Sequence, residues 1–473
     1  MPPLISTLPQ AFAAAVLAAV LYSFGLATSP PHLTHDEIKF ALQAQSIAHT
    51  GRDLNGRLLP VYFREAGFPV GRDPICIYVM AAVLRFSPLS EAAIRFSTVL
   101  AGAAGVGLVF VLARLIFQRT ATAWIVAAIL ALSPTYYIHS RLALSVIYPV
   151  PFTILWLIVL RLYRSRRTAR LAAVTGVVLG LGVYSYLAAA LMMPLYLLAT
   201  MTTLALDRDR RGAVIVAAGF AVLMIPLLAW QLVEPERYAL IVSSYRLGQW
   251  PAGANAAASD PWSLARVSAL IDLAWAGFNP SRLFFTGESS LLISTREVGS
   301  LLTPVAAFLV IGLATLLARG PRQDAWLLTI GLITAPIPAI VTADVEIRRW
   351  LVVLPFMALI AGFAVERLLD GRWWVRMCCW GLVALMVLQF GFFTRDYFGP
   401  YRERASVWFG GNIKAALESV LADAAAAQPP PVVYIGEEIP WVEAYWRFYT
   451  LVHEQQALLA RTRFVRLRAE SPA

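Results

Sequence analysis

Long apolar runs recur along this chain, near 8–28, 92–113, 121–138, 146–162, 171–185, 187–206, 212–230, 299–318, 325–341, 350–368 and 374–393. Each is about 17 to 25 residues long, the length a helix needs to cross a hydrocarbon core. At 473 residues and 59% hydrophobic, with a mean hydropathy of +0.67, the chain is too apolar for a soluble protein of its size. The expected fold class is an α-helical polytopic membrane protein with about eleven transmembrane helices. Residues 8–28 follow no basic segment and are long enough to span, so they read as a retained first helix rather than a cleaved leader.

The loops set the orientation. Net charge is +11, yet the arginines form no single basic face or tail, which argues against nucleic acid as a partner. They sit in short connections: Arg114 with Arg119; Arg161, Arg164, Arg166, Arg167 and Arg170; Arg208, Arg210 and Arg211; Arg319 and Arg322; Arg367, Arg372 and Arg376. If the spans alternate, all of these fall on one side, which the positive-inside rule makes cytoplasmic. The other side receives the outer loops 29–91 and 231–298, the turn from His139 to Ser145, the stretch Thr342 to Arg349, and the tail. Residues 1–393 therefore read as the transmembrane domain and 394–473 as a small soluble α/β domain. In that tail Ala405–Ala425 and Trp441–Leu451 have helical patterns and Val432–Ile435 reads as a strand. Asp73 to Phe86 is apolar enough for half a span. Crossing there would move every later loop to the wrong side, so it is expected to lie in the interface. Cys76, Cys378 and Cys379 imply no disulfide framework.

No zinc spacing, nucleophile elbow, phosphate-binding loop or dinucleotide fingerprint is present. What stands out is Thr34-His35-Asp36-Glu37, just beyond the first run and at the head of an amphipathic segment (Ile38, Ala41, Leu42, Gln45, Ala48) that stops at Gly51. Thr34 and Glu37 have the spacing of a capping box, which gives Glu37 a structural reading. Neighbouring helical side chains point about 100° apart, so the two acids cannot share one proton. If one is catalytic and one structural, Asp36 is the one left for chemistry. On the same side lie Arg141, Arg282, Arg296, Arg348 and Arg349, and guanidinium groups suit an anionic lipid because they contact phosphate bidentately. The bland readings are headgroup anchoring for Arg348 and Arg349 and a water-facing loop for Glu288, Arg282 and Arg296. They extend to a hydrogen-bonded structural role for His139 and an aromatic belt of Tyr136, Tyr137, Trp230 and Trp350.

A first span followed at once by this acidic motif, then an amphipathic outer segment and Ile94-Arg95-Phe96-Ser97 opening the second span, resembles the GT-C glycosyltransferases. Further matching stretches are His139-Ser140-Arg141-Leu142-Ala143, Phe278-Asn279-Pro280, Phe285-Thr286-Gly287-Glu288, and Pro336-Ile337-Pro338-Ala339 leading to Arg348-Arg349. The likeness is greatest to the bacterial branch related to protein O-mannosyltransferases and lipid A aminoarabinose transferases. It implies transfer of a sugar from a polyprenyl-phosphate carrier to an envelope acceptor (glycolipid, polysaccharide or protein), with inversion, at the periplasmic face of the bacterial inner membrane. Asp36 is the position that matches the family's catalytic acid, with Glu37 beside it as the second candidate, and the charge chemistry makes Arg348, Arg349 and Arg141 the candidates to bind the donor phosphate. The family often has a second acidic residue where this chain has Ser145, so no divalent metal and no cofactor are expected. The expected partners are the lipid-linked sugar, the acceptor and membrane lipids. The alternative is a transporter or flippase of lipid-linked sugars, which an internal repeat would favour. None is visible, and the polar groups collect on one side.

Overall fold

The computed structural model describes residues 4–65, 68–236, 264–342, 344–429 and 431–466. The first half of the chain is α1 (Leu4–Ser23), α2 (His35–Thr50), a hairpin of β1 (Phe63–Glu65) and β2 (Phe68–Arg72), α3 (Pro74–Leu84), α4 (Glu91–Ile116), α5 (Thr120–Ala131) and α6 (Pro134–His139). Then come α7 (Pro149–Arg166), α8 (Ala169–Val183), α9 (Ala189–Leu206) and α10 (Arg210–Val233). The second half has α11 (Leu264–Gly277), α12 (Pro304–Arg319), α13 (Arg322–Thr334), α14 (Ile337–Val341), α15 (Val353–Leu369) and α16 (Trp373–Phe398). The chain finishes with α17 (Tyr401–Ala405), α18 (Ile413–Ala426), β3 (Val433–Gly436), α19 (Val442–Val452) and β4 (Thr462–Val465).

Among the described residues seven segments can cross a membrane by length and composition: Ser6–Ser23, Glu91–Ile116, Ser145–Arg166, Ala189–Leu206, Arg210–Val233, Arg322–Val341 and Trp373–Phe398. The other expected spans fall on shorter helices. Residues 121–138 are split between α5 and α6 because Pro134 takes the first position of a new helix, and α8, α12 and α15 hold 15, 16 and 17 residues. The segment placed in the interface is α3, whose Cys76, Ile77, Met80 and Leu84 are buried. Of the long outer loop, 231–236 and 264–298 are described, including α11 and one π-helical turn at Arg282–Thr286.

In lipid no hydrophobic drive separates helix from solvent, so packing depends on close backbone approach. On α8, a Cβ added at Gly176 would sit 2.1 Å from the Val216 carbonyl of α10, and one at Gly180 2.6 Å from Leu223 Cβ. Gly176→Leu should therefore force α8 off α10 and destabilise the bundle by about 1–3 kcal/mol, the usual range for overpacking. The check is a lower melting temperature of the purified protein in detergent; an unchanged melt would show that α8 and α10 do not touch as described.

The arginine-rich connections meet at one end of the bundle, where acids answer them. Arg119 Nε lies 3.1 Å from Asp370, Arg164 Nε 2.8 Å and Arg167 Nη2 3.0 Å from Asp207, and Arg161 pairs with Asp324. The opposite end carries α2, α3, the 344–349 turn and the C-terminal unit. α16 runs on to Phe398, past residue 394. The helix expected over 405–425 is also interrupted, at Gly410 and Gly411, which have φ of 84° and 64°. β3 and β4 pair in parallel. Three of the four residues read as an aromatic belt lie inside instead. Tyr136, Tyr137 and Trp350 are buried in the bundle, with the Tyr136 hydroxyl 3.0 Å from the Gly102 carbonyl and Trp350 Nε1 3.3 Å from that of Val345. The polar tips of Tyr136 and Trp350 thus find backbone partners inside, which removes their need for headgroups.

Candidate active site

The helix that carries the acid pair begins as the sequence requires. Thr34 caps α2: its hydroxyl accepts from Glu37 N at 3.2 Å, and Glu37 Oε2 accepts from Thr34 N at 2.9 Å. Gly51 closes the helix in the left-handed conformation. The second Glu37 oxygen is also engaged. Oε1 accepts from Arg95 Nε and from the Ala143 backbone N–H, both at 3.0 Å. Glu37 and Arg95 are 0% exposed. Arg95 completes its own fork on the carbonyls of Leu26 (3.1 Å), Pro30 (3.0 Å) and His32 (2.6 Å). A buried ion pair persists only when its remaining donors and acceptors are satisfied, as here. Glu37, the second catalytic candidate of the sequence, thus joins α2, α4, the α1–α2 connection and the turn after α6 through its hydrogen bonds.

Asp36 differs. Its side chain is 39% exposed at the head of α2, with Oδ1 3.5 Å from His35 Nε2. The His35 ring stacks on Trp441 at 5.7 Å with 13° between planes, so the C-terminal unit roofs the acid.

Arg141, expected from the sequence to bind the donor phosphate, lies in the interior. It is completely buried, and its guanidinium donates to the carbonyls of Tyr22 (2.5 Å), Phe24 (2.6 Å) and Ser29 (2.8 Å). Its Cζ lies 5.1, 5.5 and 5.2 Å from the rings of Tyr137, Tyr397 and Phe398. This cation-π cage faces no open space and fixes the α1–α2 connection.

Arg348 and Arg349 lie on a short turn and are partly exposed, their side chains at 39% and 18%. Both reach Asp344: Arg348 Nη2 at 3.2 Å and Arg349 Nε at 2.9 Å from Oδ2. Arg349 Nη1 also lies 3.2 Å from the Tyr186 hydroxyl. Burial works to raise the Asp344 pKa, but the two arginines outweigh it and hold the carboxyl below its ordinary range. The stability these pairs contribute is therefore complete above the ordinary carboxylate value and is lost only as pH falls through the lowered one. Glu288 anchors the turn from beneath. Expected to face water, it is buried, pairs with Arg282, and accepts from Ile347 N at 3.1 Å through Oε1. Arg296 faces outward, over the Trp408 ring at 5.3 Å.

One segment links the acid end to the arginine end. The turn after α6 gives Ala143 N to Glu37, and buried His139, whose Nδ1 lies 2.8 Å from the Thr135 carbonyl, is close enough to Arg348 to feel its charge. Asp73, just before α3, belongs to the same region. Its charge acts on Tyr62 and Tyr186, and Ile75 N lies 3.4 Å from the Tyr184 carbonyl, pinning α3 to the α8–α9 turn. Sequence alone offered no signal for Asp73, Tyr186 or Asp344, since each acquires its meaning from a distant partner. Among the described residues no group of three metal-ligating side chains is assembled.

Residues 71–230, from β2 to α10, match the family described as dolichyl-phosphate-mannose-protein mannosyltransferase. The chain superposes on ArnT from Cupriavidus metallidurans bound to undecaprenyl phosphate, with a TM-score of 0.56 at 14% identity, covering 97% of this chain and 86% of that one. This is the GT-C fold. A second GT-C structure, the Archaeoglobus fulgidus oligosaccharyltransferase tethered with an acceptor peptide, superposes with a TM-score of 0.53 at 15% identity over 97% of this chain and 64% of that one. No curated protein matches the chain by sequence. Within this GT-C bundle the described acid, arginine turn and C-terminal roof all gather at one end.

Proposed function

We propose that this protein is a glycosyltransferase that moves a sugar from a polyprenyl-phosphate carrier to an envelope acceptor, with inversion, at the periplasmic face of the inner membrane. The observation that carries the reading is the division of the acid pair: Glu37 is fully engaged in the interior while Asp36 stands at the edge of the site. The family match over residues 71–230 and a fold shared with a protein that binds undecaprenyl phosphate supply the donor class.

The chemistry needs little more. Asp36 takes the proton of the acceptor hydroxyl as its oxygen attacks the anomeric carbon. The bond from that carbon to the phosphate oxygen breaks, and its electron pair leaves on the polyprenyl phosphate. A glycosidase needs a second carboxyl to protonate its leaving alkoxide. A phosphate leaves as a stable anion, so one base and nearby cations suffice. Arg348 and Arg349 supply the cations, poised by Asp344 and, through the backbone, by Glu288.

Undecaprenyl phosphate binding, followed by native mass spectrometry, tests the arginines. Arg348→Ala or Arg349→Ala should raise its Kd by about tenfold or more, the value of one charge-assisted contact. Unchanged binding in both variants would remove the turn from the donor site. The mechanism uses no metal, and chelation is expected to leave transfer intact. A loss restored by one added divalent ion would overturn that part.

A further inference from the structure

Between α2 and the C-terminal unit lies a cleft of about 750 Å³, with Lys39, Gln43 and Asn55 on one side and Trp441, Glu443 and Arg447 on the other. Its floor continues the site. Asp36, Lys39 and Gln43 are spaced i, i+3 and i+7 along α2, which places them on one helical face with the proposed base one turn from the cleft. The opposite wall is held in register. Tyr445 donates to the Leu33 carbonyl at 3.0 Å, and Glu91 Oε1 accepts from Tyr449 at 3.1 Å and lies 2.9 Å from Lys414 Nζ. Trp441 joins the two sides. Lys39 Nζ lies 3.1 Å from its ring centroid, and its backbone has φ of 64°, a strained conformation for a bulky residue that persists only where the surroundings impose it.

We infer that this cleft is the acceptor site and that the acceptor is a saccharide, an assignment that rests on the glycosyltransferase reading above. Glu443 and Arg447 stand one turn apart on α19, both exposed, and among the described residues neither is in an ion pair. A carboxylate and a guanidinium so placed offer planar sets of acceptors and donors, which suit adjacent sugar hydroxyls. Trp441 and Phe464 add ring surface to the same walls. The contrast with the other large opening is chemical. A groove of about 1030 Å³ between the end of α1, α3 and α4 is lined by side chains such as Val79, Val83, Phe86, Phe96 and Leu100. Such a surface accommodates hydrocarbon but cannot orient a hydroxyl. In the cleft, a bound saccharide lies along the α2 face and directs one hydroxyl to Asp36.

The test uses full-length protein in lipid nanodiscs, probed on a printed array of bacterial envelope oligosaccharides that also carries Ser/Thr-containing peptides, with undecaprenyl phosphate binding measured in parallel. Wild type should bind a subset of the saccharides. Glu443→Ala with Arg447→Ala should weaken that binding by about tenfold or more, with undecaprenyl phosphate binding and melting temperature unchanged. If the double variant does not fold, Arg447→Lys, which keeps the charge and loses the planar fork, should show the same selective loss. Saccharide binding unaffected by both variants would overturn the assignment, as would a wild type that binds undecaprenyl phosphate and peptides but no saccharide. Failure to bind undecaprenyl phosphate at all would instead remove the donor reading, and the acceptor assignment would fall with it.

Discussion

Asp36→Asn should lose about 10²- to 10⁴-fold in transfer rate, the range attributed to a positioned general base, while the protein folds and binds undecaprenyl phosphate as before. The amide keeps the shape of the side chain and its place at the head of α2, but cannot accept the hydroxyl proton. Because the side chain is 39% exposed, no large stability term should accompany the change. The loss should appear in kcat with little effect on donor binding. Equal transfer by wild type and variant would reduce Asp36 to a helix-start acid that complements the helix dipole.

The neighbouring acid should behave in the opposite way. Glu37→Ala removes the partner of Arg95 and the acceptor for Thr34 N, the Thr34 hydroxyl and Ala143 N. Breaking a buried pair on one side leaves an uncompensated charge, and about 3–5 kcal/mol is the expected cost. Arg95→Ala should cost a similar amount and also release the carbonyls of Leu26, Pro30 and His32. Thermal melts in detergent should show both variants strongly destabilised, with activity falling only as far as the folded fraction does. Glu37→Gln retains the shape and most of the hydrogen bonds and should be the milder change. If it folded fully and yet transferred nothing, the catalytic role would belong to Glu37.

What could be read from sequence was what depends on neighbours along the chain. The capping box between Thr34 and Glu37, the stop at Gly51 and the strand near Val433 are all local, and each is in place. The apolar runs located the helices, since membrane thickness alone sets their length, although Pro134 split one of them. What could not be read were relations between distant residues. Glu37 meets Arg95 across 58 positions, and Arg349 meets Tyr186 across 163. Arg141 illustrates the difficulty: its residue type and side of the membrane suited a phosphate, yet three carbonyls and three rings enclose it. The same holds for Glu288, which looked like a loop acid and instead pins the arginine turn. The docking of Trp441 over His35 was equally invisible, because the tail's pattern shows a helix but not where it packs.

The most direct test of the central claim is to follow radiolabelled undecaprenyl-phosphate sugars in proteoliposomes that contain the purified protein and envelope saccharide acceptors. The account predicts that label leaves the lipid fraction, undecaprenyl phosphate accumulates in equal amount, and Asp36→Asn prevents both. Label that stays on the lipid and only changes leaflet, in wild type and variant alike, would contradict it and identify a flippase.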